Sequence, residues 1–339
     1  MTSINEGIGR TGAALIGLAA AGSAMATDAP PIPPQPPLAA TVSEQARQQL
    51  APLLAAATQP APELTVPQMR AFAEAIGAPI IAARKAKYPV TIERREMGGV
   101  PVEWVRKDNG VSPDAGPLLI NLHGGGFTVD SGSLSETIPI AALTGLPVAA
   151  VLYRLAPEHP YPAAVDDALA VYRAALKTRD PGGIAIFGTS AGAILSVQLL
   201  VRLRKEGLPM PAAVGVFSGA GDLARAGDIE GYLPPLSPGK TAPEVLAGYV
   251  GHTDPRDPGL SPLYGDLSGL PPVLLMASTR DQLLSHTAML HLGLLKAGVA
   301  AELQVYEGMP HAFWSYVDAP ETDDALAAQA AFLTRHLKR

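Results

Sequence analysis

From about Thr91 onward, the chain alternates short apolar runs with longer segments of helical hydrophobic periodicity. This alternation predicts strands and helices that follow one another in βα units around a mostly parallel sheet. The eight predicted strands cover Val90–Arg95, Val102–Arg106, Leu118–Leu122, Val148–Tyr153, Ile184–Phe187, Ala213–Phe217, Val273–Ala277 and Glu302–Tyr306. Because the first two strands are too close in sequence for a helix to lie between them, we expect them to pair antiparallel.

Helical periodicity predicts the segments that cover this sheet, together with two helices that precede it. The covering helices are predicted at Leu134–Leu143, Ala163–Leu176, Ala191–Lys205, Gln282–Ala297 and Asp324–Leu337. The earlier helices, Ser43–Ala57 and Val66–Ala86, follow no strand, so we expect residues 41–88 to form an N-terminal cap. Ser43 is placed to cap the first helix, and Gly77–Pro79 is expected to interrupt the second.

The segment Asp222–Leu270, between the sixth and seventh strands, contains seven of the 34 prolines and one good helical pattern, Pro243–Gly248. A long stretch without strands inside a compact domain is uncommon and often functional. We therefore expect residues 89–339 to form one α/β domain, with a cap insertion around residues 222–270.

The N-terminus carries a pattern typical of a secretory signal peptide. An uncharged stretch follows Arg10, and Ala24-Met25-Ala26 has the A-x-A form of a cleavage site. This predicts a signal peptide over residues 1–26 and a periplasmic or secreted protein, with a proline-rich spacer over residues 27–40. The alternative is an amphipathic or disordered tail of a cytoplasmic protein. The stretch is too short and too rich in Gly and Ala for a transmembrane helix, so we expect no stable membrane insertion.

Composition excludes several classes of function. The chain has 25 Lys and Arg against 31 Asp and Glu, a net charge of −6, and no basic cluster. Nucleic acid and anionic membranes are therefore poor partners. The absence of cysteine excludes disulfides, thiolate metal sites and a cysteine nucleophile. No H-E-x-x-H motif or carboxylate–histidine cluster has the spacing of metal ligands, so we expect no metal.

A candidate nucleophile lies at the end of the fifth predicted strand. There the sequence Gly188-Thr-Ser-Ala-Gly192 leads from a buried strand into a helical pattern, and this context is what a nucleophile elbow requires. Gly188 and Gly192 permit the tight turn that exposes the hydroxyl of Ser190 above the sheet. The alternative is a simple glycine-rich turn, since G-x-S-x-G also occurs by chance.

A second glycine-rich motif, His123-Gly124-Gly125-Gly126-Phe127, follows the third strand. Its unshielded backbone N–H groups can stabilise an oxyanion beside the elbow serine. We expect His123 to hold this loop rather than to titrate. A phosphate cradle is the alternative, but no Lys-Ser/Thr pair follows. The near match at Gly239–Thr241 has Pro234 where a P-loop needs its first glycine.

A serine nucleophile needs a base and a group that orients the base. In a sheet of this type the order is Ser, Asp or Glu, then His, which favours His311 after the eighth strand and Asp281 after the seventh. Asp222, after the sixth strand, is the rival acid. Among the other histidines, His159 is expected to be structural, and the helical patterns place His286, His291 and His336 on the solvated surface.

Together these motifs resemble the hormone-sensitive-lipase family of bacterial esterases, in its GTSAG branch. The resemblance rests on H-G-G-G-F at 123–127, Y-R-L-A-P-E-H-P-Y-P-A-A-V-D-D at 153–167, G-T-S-A-G at 188–192, D-P at 257–258, S-P-L-Y-G-D-L at 261–267, Asp281 and G-M-P-H at 308–311. It extends from about Val90 to the C-terminus. One departure is Ser285, which stands where many relatives carry a second acidic residue.

The resemblance implies an α/β-hydrolase fold with a helical cap, hydrolysis of a small-molecule carboxylic ester, and no cofactor. It implies that the N–H groups of Gly125, Gly126 and Ala191 bind the oxyanion, and a homodimer is compatible with it. The resulting hypothesis is a Ser190–His311–Asp281 acyl-enzyme mechanism. Lactone, xenobiotic ester and amide hydrolysis remain alternatives on the same residues, and a non-catalytic binding protein of this fold is a further one.

The cap helices also suggest a limit on substrate size. An apolar face is predicted from Leu50, Leu53, Leu54, Met69, Phe72 and Ile76. If this face covers the elbow, it closes the site into a pocket of finite length. A pocket of this kind sets a maximum acyl length, and the resemblance implies that esters of short-to-medium acyl chains are the best substrates. The alternative is that these helices merely pad the sheet.

Overall fold

The computed structural model describes residues 37–57, 64–108, 116–233 and 242–338. Its centre is an eight-stranded sheet of order β1-β2-β4-β3-β5-β6-β7-β8. The strands are β1 Val90–Met97, β2 Val100–Lys107, β3 Leu118–Leu122, β4 Val148–Val151, β5 Ile184–Thr189, β6 Ala213–Phe217, β7 Val273–Arg280 and β8 Ala301–Pro310. Strand β2 pairs antiparallel with β1 and β4, and the other neighbours pair parallel.

Helices cover both faces of this sheet. They are α1 Glu44–Ala57, α2 Val66–Lys87, α3 Ser133–Thr144, α4 Ala163–Leu176, α5 Ala191–Lys205, α6 Ala242–Val245, α7 Ala247–Val250, α8 Leu284–Lys296 and α9 Pro320–Arg335. The central strands β3, β5 and β6 are buried along their whole length, as expected for strands covered on both faces. Among the residues described, no helix is both long and apolar enough to cross a membrane.

The predicted eight strands and five covering helices are confirmed, as is the antiparallel pairing of the first two strands. Strands β7 and β8 both extend beyond their predicted C-terminal ends. β7 runs to Arg280 and β8 to Pro310, so that Asp281 and His311 follow directly on strand ends. The sheet therefore brings both residues to the same edge as Ser190, which follows β5.

Helix α2 differs from the prediction because it continues without interruption through Gly77 and Pro79. Proline at position 79 removes the amide that would bond to the carbonyl group of Ala75. Ala75 and Pro79 are both exposed, so water can replace that hydrogen bond. Met69, Ala73 and Ile76 are the buried apolar residues of the same helix. This face holds the helix against the domain despite the proline.

Helix α1 packs on the body of the domain. The hydroxyl of Ser43 accepts a hydrogen bond from the amide of Ala46 (3.1 Å), which confirms Ser43 as the cap. Leu50 and Leu53 are buried in one apolar cluster with Leu326 of α9. The expectation that these leucines face the elbow is therefore wrong, because α9 provides an apolar surface that the local pattern cannot reveal.

Helix α2 instead reaches the loop that follows β3. Its buried residues Met69, Ala73 and Ile76 form a separate apolar cluster with Val129. Arg70 also donates a hydrogen bond to the carbonyl oxygen of Thr128 (3.0 Å). The two N-terminal helices therefore contact different parts of the domain, and α2 is the one that lies beside the predicted oxyanion loop.

The insertion contains two four-residue helices, α6 and α7, where one helix over Pro243–Gly248 was expected. Leu246 lies between them in a non-helical turn. Residues 234–241, including the P-loop-like sequence at 239–241, lie outside the described residues, as do the predicted signal peptide and most of the spacer.

Candidate active site

Ser190 lies in a sharp turn between β5 and α5. Its backbone has φ 57° and ψ −120°, and its amide donates a hydrogen bond to the carbonyl oxygen of Phe217 (2.8 Å). A Cβ atom at Gly192 would lie 1.7 Å from the carbonyl oxygen of Leu122, so glycine is required there by close approach of β3. The predicted strand–serine–helix arrangement is therefore present, with the serine in a strained conformation.

The glycine-rich loop after β3 lies beside this serine. Gly125 and Gly126 have φ values of 115° and 60°, and the amide of Val129 donates to the carbonyl oxygen of Gly125 (3.1 Å). A Cβ atom at Gly125 would lie 2.0 Å from the carbonyl oxygen of Val129. Gly124, Gly125 and Gly126 line the same cavity as Ser190 and Ala191. The loop therefore needs glycine for its shape and leaves its backbone at the cavity.

His123 is buried beneath this loop. Its Nδ1 lies 2.8 Å from the carbonyl oxygen of Gly124, and its ring stacks on Tyr153 with ring centroids 4.1 Å apart. The Tyr153 hydroxyl donates to the carbonyl oxygen of His123 (2.7 Å). These contacts fix the entry to the glycine-rich loop, and they are the contacts expected of a residue that supports it.

Asp281 and His311 form a close pair at the ends of β7 and β8. The Oδ1 atom of Asp281 lies 2.7 Å from Nδ1 of His311. The same carboxylate accepts hydrogen bonds from the Ser218 hydroxyl and from the amide of Leu283. Burial raises the pKa of Asp281, but the nearby His311 charge and these hydrogen bonds outweigh it, so the pKa lies below its ordinary value.

The rival acid, Asp222, has different partners. It is buried, and it accepts hydrogen bonds from the Arg225 guanidinium (2.7 Å), the amide of Ala224 (2.8 Å) and the Tyr264 hydroxyl (3.3 Å). His311 is not among these partners. The geometry therefore favours Asp281 as the residue that orients His311.

His286 is not on the solvated surface as expected, because the insertion covers the side of α8 that carries it. It is 1% exposed, and its Nε2 lies 2.8 Å from Oε1 of Glu230. Glu230 also accepts hydrogen bonds from the amides of Gly227 and Ala242, at 2.5 Å each. Helical periodicity places His286 in a helix but cannot show which segment packs over it.

A cavity of roughly 990 Å³, counted with its open mouth, joins these elements. Ser190 and His311 both line it. Its apolar lining residues include Ala73, Ile80, Val129, Ile194, Ala242, Val245, Leu246 and Leu283. Its polar lining residues include Ser131, Glu136, Thr189, Ser315 and Tyr316. The cavity can therefore hold a largely apolar molecule with one polar group at the serine.

The insertion supports the oxyanion loop as well as the cavity wall. Tyr249 of α7 stacks on Phe127, which follows the three glycines, with ring centroids 3.5 Å apart. Its hydroxyl donates to the side-chain oxygen of Gln198 in α5 (2.6 Å), and its carbonyl oxygen accepts from the amide of Tyr161 (2.8 Å). One aromatic residue thus links the insertion, the oxyanion loop and the helix that follows Ser190.

Sequence reasoning missed Glu136 in α3. This residue is the one charged side chain of that helix, it is buried, and it lines the cavity. Burial raises its pKa to about 8. The available signal was a single carboxylate in an otherwise uncharged helix that follows the glycine-rich loop, but a solvated position is the more common reading of such a residue.

The fold and the site define an α/β hydrolase, and comparison with known proteins agrees. A family profile described as alpha/beta hydrolase fold matches residues 119–315. An acetyl-hydrolase from Streptomyces hygroscopicus is 37% identical over 250 residues, which cover 70% of this chain and 80% of that protein. An esterase from Acinetobacter venetianus is 33% identical, with 72% and 82% covered.

The solved structures that are similar to this chain are also esterases. The crystal structure of an esterase from the bacterial hormone-sensitive lipase family has a TM-score of 0.73 and 33% identity, covering 82% of this chain and 94% of that one. Esterase E25 has a TM-score of 0.74 and 31% identity, covering 94% and 99%. The chain therefore belongs to the α/β-hydrolase family, as an ester hydrolase of the hormone-sensitive-lipase type.

Proposed function

We propose that this esterase hydrolyses short-to-medium acyl esters through a Ser190–His311–Asp281 triad and an acyl-enzyme intermediate. The observation that carries the proposal is the 2.7 Å contact between Asp281 and His311, with His311 and Ser190 lining one cavity. The G-T-S-A-G sequence at 188–192 supports placement in the GTSAG branch of the family.

In the first half of the reaction, the ester acylates the enzyme. The carboxylate of Asp281 accepts a hydrogen bond from the Nδ1–H of His311, which leaves Nε2 free to take the proton of the Ser190 hydroxyl as its oxygen attacks the ester carbonyl. The negative charge that develops on the carbonyl oxygen is stabilised by the N–H groups of Gly125, Gly126 and Ala191. The bond to the alcohol then breaks, and the alcohol leaves with the proton from Nε2.

In the second half, water repeats the attack on the acyl-enzyme. His311 takes a proton from water as the water oxygen bonds to the carbonyl carbon, and the same N–H groups stabilise the new oxyanion. The bond to Ser190 then breaks, and Nε2 returns its proton to the serine oxygen. The products are a carboxylic acid, an alcohol and the free enzyme, so no external reactant besides water is consumed.

The cavity lining supports the choice of substrate. Ala73 and Ile80 from α2, Ile194 from α5, and Val245 and Leu246 from the insertion provide apolar surface near the serine. Each methylene group that fits against such surface contributes up to about 0.8 kcal/mol of binding. Because the cavity is finite, binding stops improving once the acyl chain fills it. The relative named acetyl-hydrolase is consistent with a preference for small acyl groups.

The experiment is a rate series on p-nitrophenyl esters with acyl chains of two to sixteen carbons, using purified protein. We expect kcat/KM to pass through a maximum because the apolar pocket is finite, and the resemblance to the hormone-sensitive-lipase family implies that this maximum lies between about two and eight carbons. A serine-directed phosphonate should inactivate the enzyme and label Ser190, as located by peptide mapping. A maximum at palmitoyl esters with activation at an oil interface, or a label on another serine, would contradict the proposal.

We also propose that residues 1–26 direct export and are removed after Ala26. The support is the uncharged stretch after Arg10 and the A-x-A sequence at 24–26. The full-length chain expressed in a Gram-negative host should give periplasmic protein whose N-terminus is near Thr27. Recovery of the chain from the cytoplasm alone, with Met1 intact, would contradict this proposal.

A further inference from the structure

Glu136 is a buried carboxyl group in the wall of the active-site cavity to which the triad mechanism gives no role. It is 5% exposed, and its Oε2 accepts a hydrogen bond from Nδ2 of Asn121 (3.2 Å). The hydroxyl groups of Thr189 and Ser315 face the same carboxyl group. Its other oxygen lies against Gly132, where a Cβ atom would be only 2.2 Å away. The carboxyl group is therefore closely packed and polar neighbours surround it.

These neighbours belong to the three elements that hold the triad and the oxyanion loop. Asn121 lies on β3, which leads into the glycine-rich loop, and Thr189 directly precedes Ser190. Ser315 lies four residues after His311, and the adjacent Trp314 donates a hydrogen bond from its indole to the Thr189 hydroxyl (3.1 Å). Glu136 thus occupies the point where the supports of the oxyanion loop, the nucleophile and the base meet.

We propose that Glu136 is a positioning residue that works in its neutral, protonated form, and that its ionisation suppresses ester hydrolysis. In the neutral form it holds the oxyanion loop and the elbow together without adding charge. When ionised, it places a negative charge in the cavity wall beside the carbonyl oxygen that becomes an oxyanion. Like charges in a water-poor site repel strongly, so the transition state would be destabilised.

Burial and the charge of Asp130 favour the neutral form of Glu136. Burial and, to a smaller extent, the Asp130 carboxylate on the preceding loop raise the pKa of Glu136 and outweigh the hydrogen bonds from its polar neighbours, so that the pKa is about 8. Tyr153 is also buried and acts electrostatically on Glu136, while His123 lies between Asp130 and the glycine-rich loop. His311, which is paired with Asp281, lines the same cavity as Glu136. The group is therefore protonated at neutral pH and ionises as the pH rises through about 8.

The test compares wild-type enzyme with Glu136→Gln, which keeps the shape and the neutral charge of the protonated acid. The readout is the ratio of kcat at pH 9 to kcat at pH 7 for p-nitrophenyl butyrate, after subtraction of the uncatalysed rate. Because a group with a pKa of about 8 is mostly ionised at pH 9, we expect the wild-type ratio to be about 0.1. In Glu136→Gln the ratio should be close to 1. An equal fall in both proteins would overturn the proposal.

Glu136→Leu separates positioning from charge. It cannot accept the hydrogen bond from Asn121, so we expect a lower kcat with little change in KM, and a ratio of kcat values that is again close to 1. A kcat equal to that of the wild type would remove the positioning role. Asp222→Asn is the matched control, because Asp222 is a buried carboxylate outside the cavity lining, and its ratio should follow the wild type.

A second measurement uses only the wild-type protein, so it can be made even if Glu136→Gln or Glu136→Leu fails to fold. Infrared difference spectra of the wild type between pH 7 and pH 9 should show loss of a protonated carboxyl band. Absence of that band at pH 7 would refute the inference.

This inference rests on the proposed function, and the two can fail separately. Lack of labelling at Ser190 would remove the triad. Labelling and hydrolysis without an alkaline decline that depends on Glu136 would remove the inference alone.

Discussion

The described part of the chain contains two carboxylate–imidazole pairs with nearly equal separations and different surroundings. Asp281 and His311 are 2.7 Å apart, and Glu230 and His286 are 2.8 Å apart. His311 lines the cavity together with Ser190, whereas His286 is absent from the cavity lining. The Nδ1 atom of His286 has no hydrogen-bond partner within the described part of the chain.

The difference lies in what surrounds each pair. In the first pair, Nδ1 of His311 contacts the acid and His311 lines the cavity together with Ser190, so in the proposed mechanism its Nε2 transfers the proton. The second pair holds two parts of the insertion against α8, because Glu230 also accepts hydrogen bonds from the amides of Gly227 and Ala242. A histidine next to a buried acid is therefore a base only where its other nitrogen reaches a reacting group.

Removal of the nucleophile is the strongest test of the proposed difference between the two pairs. Ser190→Ala should lower kcat by a factor of about 10⁴ to 10⁶, since binding and the oxyanion donors give only residual catalysis. Steady-state rates on p-nitrophenyl butyrate measure the change. Ser268→Ala, at an exposed serine, is the control and should keep wild-type rates. A Ser190→Ala enzyme within tenfold of wild type would exclude the triad.

The next largest effect should follow from loss of the acid of the first pair. Asp281→Asn should lower kcat by about 10⁴, because an amide cannot hold the useful tautomer or stabilise the imidazolium. Asp222→Asn is the matched control. Its carboxylate bonds to Arg225 rather than to His311, so its kcat should fall far less. If Asp222→Asn is the more damaging substitution, the acid lies after β6 instead.

For the second pair we expect a loss of stability and a changed pocket instead of lost chemistry. His286→Ala leaves Glu230 buried without its imidazole partner and should lower the free energy of unfolding by about 3 kcal/mol. Ala242 bonds to Glu230 and lines the cavity with Val245 and Leu246. The preferred acyl length should therefore shift or broaden.

Denaturant titration and the ester series measure these effects. His291→Ala, in the same helix but half-buried, is the control for the loss of an imidazole from α8. A fall in kcat on acetate esters as large as that of Asp281→Asn would mean that the two pairs do not differ in function.

The smallest expected effect is on acid stability. Burial raises the pKa of Glu230, but the His286 hydrogen bond and two backbone amides outweigh it, so the pKa lies below its ordinary value. A carboxyl group of this kind stabilises the fold above the unfolded-state pKa of about 4.5, and the contribution is lost as the pH falls further. Glu230→Gln should therefore show a shallower loss of unfolding free energy between about pH 5 and pH 3. Unchanged slopes would refute the pairing.

The strands, the elbow and the positions of Asp281 and His311 can be predicted from the sequence because each of them has a local sequence pattern. Apolar runs indicate each strand, and Gly188 and Gly192 around Ser190 indicate the elbow. Asp281 and His311 follow predicted strands, so the rule that parallel strands end at one edge brings them near Ser190.

The remaining features depend on contacts between segments far apart in the chain. The burial of His286 is caused by the insertion that carries Glu230, and periodicity does not report the burial of a polar side chain by a distant segment. Pro79 is tolerated because it faces solvent, which only the packing of α2 reveals. Burial raises the pKa of Glu136 because three separate elements enclose it. None of these effects has a local signature in the sequence.

The hydrogen bonds of Ser43, which caps α1, have a consequence for the order of folding. The amide and hydroxyl of Ser43 donate to the carboxylate of Glu321 at 2.6 and 2.8 Å, across 278 residues of chain. Contacts between such distant residues close a very large loop and form slowly. Leu50 and Leu53 also belong to the same buried apolar cluster as Leu326. During synthesis, α1 can therefore make these contacts only after α9 has left the ribosome, and until then its apolar face lacks this partner surface.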